Sequence, residues 1–258
     1  MTEQTLATTD AVAPLAETLC LLGGPYVLKA RERVPVPEGS KRLLVFVALH
    51  GARLDRRRVA GALWPYGGDD RAGGSLRSAL WRLRRAGIDV VEADKWSVWL
   101  RAGTTTDVGV LNAWAARLIG GRPTPQDLAV PAWDVYAIDL LPGWYEEWVV
   151  FERERIRQRV LHALETLSRL LTGHGRCAEA IEVAATAVAV EPLRESAQRA
   201  LIEAHLAEGN VVEARRHFTR YRELLHRELA IAPSTALADL VGRARPVPAP
   251  RTGLLTHR

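Results

Sequence analysis

Cysteine is scarce: Cys20 and Cys177 are the only two in 258 residues, far apart and without CxxC or Cys/His spacing. That excludes a disulfide framework, gives no sign of a zinc site, and fits idle thiols in a reducing compartment. Long apolar runs are also missing, since nothing approaches the ~18 consecutive apolar residues needed to span a bilayer. The opening stretch, MTEQTLATTDAVAPLAET, lacks the basic start and apolar core of a signal peptide. The expectation is a cytoplasmic protein with no membrane partner. Catalytic signatures are absent as well. The seven histidines are scattered without an HExxH, there is no GxxxxGK[ST], and Gly73-Gly74-Ser75-Leu76-Arg77 begins like a nucleophile elbow but lacks its final glycine. No nucleophile, base and orienting group can be assembled, so neither an enzyme nor a cofactor or metal is expected.

What is present is positive charge, unevenly spread. The formal net charge is +5, yet Lys41 to Arg85 alone holds eleven basic residues against Asp55, Asp69 and Asp70. The opposite extreme, Gln126 to Phe151, carries Asp127, Asp134, Asp139, Glu146 and Glu147 and no Lys or Arg. One part of the chain suits a polyanion and the middle does not. That acidic stretch also holds Trp133, Tyr136, Trp144, Tyr145 and Trp148, readable as a core joining two domains or as a partner surface or small-molecule pocket.

At this length, two domains are the natural expectation. After a polar leader, TLCLLGGPYVLKARERVPVP alternates apolar and polar residues around Gly23, Gly24 and Pro25 and reads as short antiparallel strands. A helix is expected from about Ser40 to His50, and a second, capped by Asp55, through Trp64. PYGGDD is a loop by composition. A third helix over RAGGSLRSALWRLRRA precedes two alternating runs around Ala93-Asp94-Lys95, a hairpin pattern. Beyond Gly103 strand signals cease. Asp107 can cap a short helix ending at Gly120-Gly121, a long helix runs from about Tyr145, and segments 176–190, 193–208 and 211–229 follow, with a last short helix near Pro233-Ser234.

Two helix pairs echo each other at a fixed distance. Gly175 and Gly209, Glu179 and Glu213, Ala180 and Ala214, and Leu167 and Leu201 share one spacing, that of a tetratricopeptide repeat. Tyr221 and His226 depart from the pattern in the second unit. TPR-like describes the segment, with a generic antiparallel helical bundle as the alternative.

On a helical wheel, Ala72, Leu76, Ala79, Leu80, Leu83 and Ala86 share one face. Arg71, Ser78, Trp81 and Arg85 centre on the other, flanked by Ser75, Arg77 and Arg82. A merely solvated face would mix Glu with Lys for i,i+4 pairs, whereas no acid stands between Arg71 and Arg85. Arginine serves guanine edges and phosphates, serine serves either, and a major groove admits one helix. Gly73 and Gly74 each cost about 1 kcal/mol inside a helix, so a late helix start is expected there. A solvated basic face is the alternative.

Taken in order, LLGGPYVL, SKRLLVFVAL, RRRVAGALWP, RAGGSLRSALWRLRRAG and the run through WSVWL resemble the OmpR-type winged-helix domain of the SARP family of transcriptional activators. DLLPGWYEEWVVFERERIRQRVLHALETL and the helical stretch after it resemble the bacterial transcriptional activation domain that follows in that family. The implied fold class is mainly α with a small β component, an N-terminal winged helix-turn-helix plus a C-terminal all-α TPR-like domain. The implied organisation is a disordered leader over 1–17, a winged helix over 18–103, the activation domain over 104–242 and a flexible tail over 243–258. The implied function is promoter activation, often of antibiotic and other secondary-metabolite gene clusters. The partners are double-stranded DNA as direct repeats, a second protomer in a homodimer on that DNA, and RNA polymerase including its sigma subunit.

Carried over by position, Arg71, Ser75, Arg77, Ser78, Trp81, Arg82 and Arg85 become groove and phosphate contacts. Lys95 becomes the wing contact, while its neighbour Trp96 fits core and contact equally. Arg56, Arg57 and Arg58 become phosphate contacts or a solvated run. The loop Pro65, Tyr66, Gly67, Gly68, Asp69 and Asp70 corresponds to the one that touches polymerase. The ATPase module of longer members has no counterpart motif, so no nucleotide control is expected, and regulation by abundance or a ligand is expected before phosphorelay. The competing reading is a protein adaptor whose helical array binds a protein while the basic domain docks on an acidic partner or RNA without reading sequence.

Overall fold

The alternation in the first sequence block becomes three antiparallel strands, β1 (Thr18–Cys20), β2 (Tyr26–Lys29) and β3 (Glu32–Pro35). Gly23 and Gly24 turn the chain between the first two at φ of +79° and +118°, values L side chains rarely adopt. The computed structural model describes residues 17–30, 32–131 and 139–243. The leader before Glu17, the tail after Arg243, and Trp133, Asp134 and Tyr136 lie outside the described residues. The described residues form two compact units, one lying within 1–112 and 137–155, the other within 113–136 and 156–258.

In the first unit α1 (Glu38–His50), α2 (Arg56–Leu63) and α3 (Gly68–Arg85) precede the hairpin of β5 (Val91–Ala93) and β6 (Ser97–Leu100). A two-residue strand, β4 (Leu54–Asp55), pairs with β6 to give the order β4-β6-β5. Three helices closed by a hairpin make the winged helix. Its core is Leu43, Leu44, Val47, Val59, Leu63, Leu76, Ala79 and Leu83, all essentially sealed from solvent. Each leucine buried this way contributes about 2 kcal/mol from the removal of apolar surface from water. Asp55 caps α2 as expected, its carboxylate accepting from Arg58 N at 2.9 Å.

Strand structure does not end at Gly103. β7 (Thr105–Thr106) pairs parallel with β1, making a sheet of order β3-β2-β1-β7, and Leu22 bridges Leu140. A two-residue strand has no period to read. Asp107 holds the join, because its carboxylate accepts from Leu21 N at 2.8 Å, Leu22 N at 2.9 Å and Val108 N at 2.7 Å. Burial pushes this carboxyl up, and those N–H bonds oppose the shift. Thr106 rather than Asp107 acts as the side-chain cap of α4 (Asp107–Ile119), its hydroxyl oxygen accepting from Gly109 N at 2.9 Å.

The second unit is helical. After a 3-10 turn at Pro125–Leu128 come α5 (Glu147–Gly173), which belongs to this unit from Ile156 onward, α6 (Cys177–Val190), α7 (Glu195–Ala207), α8 (Val211–Leu229) and α9 (Thr235–Arg243). The repeated positions of the sequence do equivalent jobs. Gly175 and Gly209 turn the chain at φ of +73° and +87°, Ala180 and Ala214 are fully buried, and Leu167 and Leu201 are core residues. Glu179 pairs with Arg176 and Glu213 with Arg216. Buried Glu165 accepts from Arg194 Nε at 2.5 Å and Ser196 Oγ at 2.7 Å, joining α5 to the start of α7. Among the described residues no helix is long and apolar enough to cross a membrane.

Candidate nucleic-acid interface

The wheel drawn from sequence separates the two faces of α3 as the fold does. Ala72, Leu76, Ala79, Leu80 and Leu83 are buried, whereas Arg71, Arg77, Ser78, Trp81, Arg82 and Arg85 are exposed and Ser75 is half-buried. Arg84, not singled out by the wheel, is exposed as well. Trp81 keeps 57% of its surface in water, a large apolar area for a monomer to leave wet. The Arg85 guanidinium lies 5.1 Å from its ring centroid, one turn along the helix. Arg71, Ser75, Arg77, Ser78 and Arg82 share one concavity with Trp64 and Gly39, a cationic hollow with hydroxyls in its wall.

Helix α1 sets the position of this face. The Ser40 hydroxyl donates to Ala79 O at 2.9 Å inside the core, and Arg82 Nη1 donates to Gly39 O at 3.2 Å. A side chain at Gly39 would meet the Arg82 guanidinium at 2.7 Å, so glycine there leaves that arginine its place. Arg82 therefore has one donor engaged within the protein and four left for a ligand.

Two expectations about the start of α3 are corrected. The helix begins at Gly68, not late, and Gly73 and Gly74 lie inside it. Gly68, Asp69 and Asp70, expected within a loop, form its first turn, leaving Pro65, Tyr66 and Gly67 as the connection. Gly68 admits the entry conformation, φ +62°, and two acids beside the positive end of the helix dipole stabilise the turn. Tyr66 is fully exposed.

The hairpin tip was legible as a turn, but its bracing was not. Asp94 N donates to Ser97 O at 3.0 Å, and the Asp94 carboxylate accepts from Trp96 N at 2.8 Å and Ser97 N at 2.7 Å. Those two amides, with Arg53 beside them, pull the Asp94 carboxyl below its ordinary value. Arg53 bonds the carboxylate at 2.5 Å while stacking on the Trp99 ring at 3.8 Å, and Arg56 Nη1 donates to Asp94 O at 2.7 Å. Arg56 is thus committed to the wing, whereas Arg57, Arg58 and Lys95 are exposed. Trp96 is 65% exposed, with Lys95 Nζ 4.8 Å from its ring, which excludes the core reading. An Asx turn in Asp94-Lys95-Trp96-Ser97 was available as a signal for Asp94; nothing local points to Arg53.

In the acidic stretch, Trp148 packs edge-on to Phe46 with centroids 5.2 Å apart, and Glu146 pairs with Arg42 at 3.2 Å. Tyr145 is 85% exposed, so the aromatic residues described there do not form one core. Among the described residues no three His, Cys, Asp or Glu side chains are grouped to hold a metal.

Residues 124–244 match the family model described as the bacterial transcriptional activator domain. The fold is similar to a solved structure, Mycobacterium tuberculosis EmbR in complex with a low-affinity phosphopeptide, at TM-score 0.66 and 20% identity over 90% of this chain. The likeness covers 66% of that chain, so the present chain spans just under two thirds of its length. No curated protein matches the sequence.

Proposed function

We propose that this chain, whose residues 124–244 match the bacterial transcriptional activator domain and whose first unit holds a winged helix, is a SARP-type transcriptional activator that reads a direct repeat in promoter DNA through α3. In this reading two protomers lie side by side on the DNA as a homodimer and recruit RNA polymerase, with its sigma subunit among the contacts. The DNA reader is taken over residues 18–103 and the activation domain over 104–242. The genes controlled are those of a secondary-metabolite or antibiotic cluster, and the protein acts in the cytoplasm.

The observation that carries the proposal is the exposed face of α3: its five arginines, Ser78 and Trp81, with Ser75 half-buried beside them and no acid between Arg71 and Arg85. Arg71, Arg77, Arg82 and Arg85 are assigned to base edges and phosphates, Ser75 and Ser78 to either, and Trp81 to a thymine methyl or a sugar. Arg57, Arg58 and Lys95 are assigned to phosphates, where each removes about one unit from the salt dependence. The polymerase contact is assigned to Pro65, Tyr66 and Gly67 with the acidic first turn of α3, Gly68, Asp69 and Asp70. A fully exposed tyrosine beside two carboxylates supports that assignment.

The test is selection of bound duplexes from a random library at near-physiological salt. Enrichment of a short motif repeated in one orientation supports the proposal. Retention without enrichment, vanishing as salt rises, would place the chain with sequence-blind adaptors that hold an acidic partner or RNA.

A further inference from the structure

We propose that Gly39 in α1 is a specificity-determining position. Its carbonyl tethers Arg82, and its lack of a side chain leaves that guanidinium room to turn its Nε–Nη2 edge to a guanine in each half-site. The inference rests on the DNA-reading function proposed above and adds to it a residue outside α3 that sets which base α3 prefers.

The first ground is what surrounds Gly39. A methyl group there would meet Arg82 Nη1 at 2.7 Å, Cζ at 3.2 Å and Nε at 3.8 Å, its three nearest neighbours outside the local helix backbone. The backbone of Gly39 does not lie in the left-handed region that favours glycine, and glycine within a helix costs stability. The benefit of the missing side chain therefore falls to Arg82.

The second ground is the tether. Arg82 Nη1 donates to Gly39 O at 3.2 Å. A guanidinium is a rigid plane, so fixing Nη1 fixes the direction of its other donors. Nε and Nη2 remain, two donors along one edge, spaced to meet O6 and N7 of a guanine. Gly39, Ser75, Ser78 and Arg82 line one hollow, which keeps this fork beside the surface assigned to the groove. The anchor cannot drift from α3, because Ser40, the next residue, donates to Ala79 O at 2.9 Å one turn before Arg82. A side chain held in this way loses less conformational freedom when it binds.

The third ground is electrostatic. The acceptor that holds Arg82 is a neutral carbonyl, whereas a carboxylate in its place would offset the charge that attracts a polyanion. Glu38, adjacent to Gly39, pairs with Lys41 at 2.5 Å. Arg82 is aimed and keeps its full positive charge.

The experiment repeats the duplex selection with the intact chain as wild type, Gly39→Ala, Arg82→Ala and the Gly39→Ala/Arg82→Ala double variant. Thermal unfolding and the salt dependence of binding are measured alongside. Gly39→Ala is expected to lose roughly tenfold in preference for guanine at one position of each half-site and to keep the rest of the motif. Arg82→Ala should lose preference at that same position, and adding Gly39→Ala to it should change nothing further. The displaced atoms are the far end of a flexible side chain and alanine suits a helix better than glycine, so Gly39→Ala should melt no lower than the wild type. Its salt dependence should also be unchanged, because the cation is retained. A merely structural role for Gly39 would move the melting midpoint and leave every base pair of the motif as it was. An undiminished motif in Gly39→Ala overturns the inference, and so does a loss confined to positions that Arg82→Ala leaves intact. A wild-type chain that selects no motif removes the DNA-reading function and this inference together, so the two failures are distinguishable.

Discussion

The Ser40 hydroxyl donates to the Ala79 carbonyl across 2.9 Å, with both residues sealed from solvent at the crossing of α1 and α3. Ala79 lies on the buried side of the arginine helix, so this bond fixes how far the exposed side projects. Replacing Ser40 by Ala removes a net contribution of about 1 kcal/mol and leaves the carbonyl its helical partner. Urea unfolding is expected to show a lower midpoint with an unchanged slope. An unchanged midpoint would mean the bond contributes nothing to the docking of α3.

Gly73 and Gly74 stand inside α3, where each costs helix stability, and a methyl group at either would meet only the far end of the Arg77 guanidinium, at 3.7 Å. Gly74→Ala should therefore stabilise the protein by about 1 kcal/mol. If the bare backbone is there to let a phosphate approach, the same variant binds DNA more weakly while melting at a higher temperature. Tighter melting with unchanged affinity would show that these glycines serve no contact.

Asp107 supplies the acceptors for Leu21 N and Leu22 N, two amides left without a partner when the carboxylate is removed. Asp107→Ala is expected to cost about 3 kcal/mol, combining two stranded donors with the loss of the β1–β7 join. Asp107→Asn, which retains one acceptor oxygen, should cost less. Chemical denaturation of the two variants checks the order, and equal losses would count against the bonding as its cause.

Asp127 accepts from Arg117 Nε at 2.8 Å and Nη2 at 2.7 Å, and from Thr124 N and Oγ1 at 2.8 Å each. The guanidinium is the leading cause holding its carboxyl well below the usual carboxylate range, with the Thr124 bonds adding to it. Because the folded value lies below the unfolded one, near ~3.9, the contribution is complete above the unfolded value and is lost as pH falls through the folded one. Arg117→Ala brings the two values closer together. Its acid unfolding, followed by far-ultraviolet circular dichroism, should begin at higher pH than that of the wild type. Coincident acid transitions would contradict the assignment.

The helices and their faces were legible because leucine and alanine spacing in segments such as Leu76, Ala79, Leu80 and Leu83 is a direct image of burial. The repeat was legible because Gly175 and Gly209 must occupy positive φ and Ala180 and Ala214 must fit where helices cross. Features made by distant pairing were not. β7 is two threonines that become a strand only because β1 lies beside them, and Leu140 meets Leu22 through the fold alone. Gly68, Asp69 and Asp70 have turn composition, yet at a helix start the dipole and a left-handed entry residue favour the same residues. Of the interface, the α3 face could be read from sequence. The commitment of Arg53 and Arg56 to Asp94 depends on the hairpin folding back onto α2.

The central claim is that the exposed face of α3 reads base sequence, and repeating the duplex selection with Arg77→Ala and Arg85→Ala beside the wild type tests it most directly. The account predicts that at least one variant loses preference at defined base pairs of each half-site, at a cost of about 1 to 3 kcal/mol, and keeps the rest of the motif. If both variants enriched the wild-type motif with undiminished preference at every position, while binding was weaker only in proportion to lost charge, these α3 arginines would hold the polyanion without reading it.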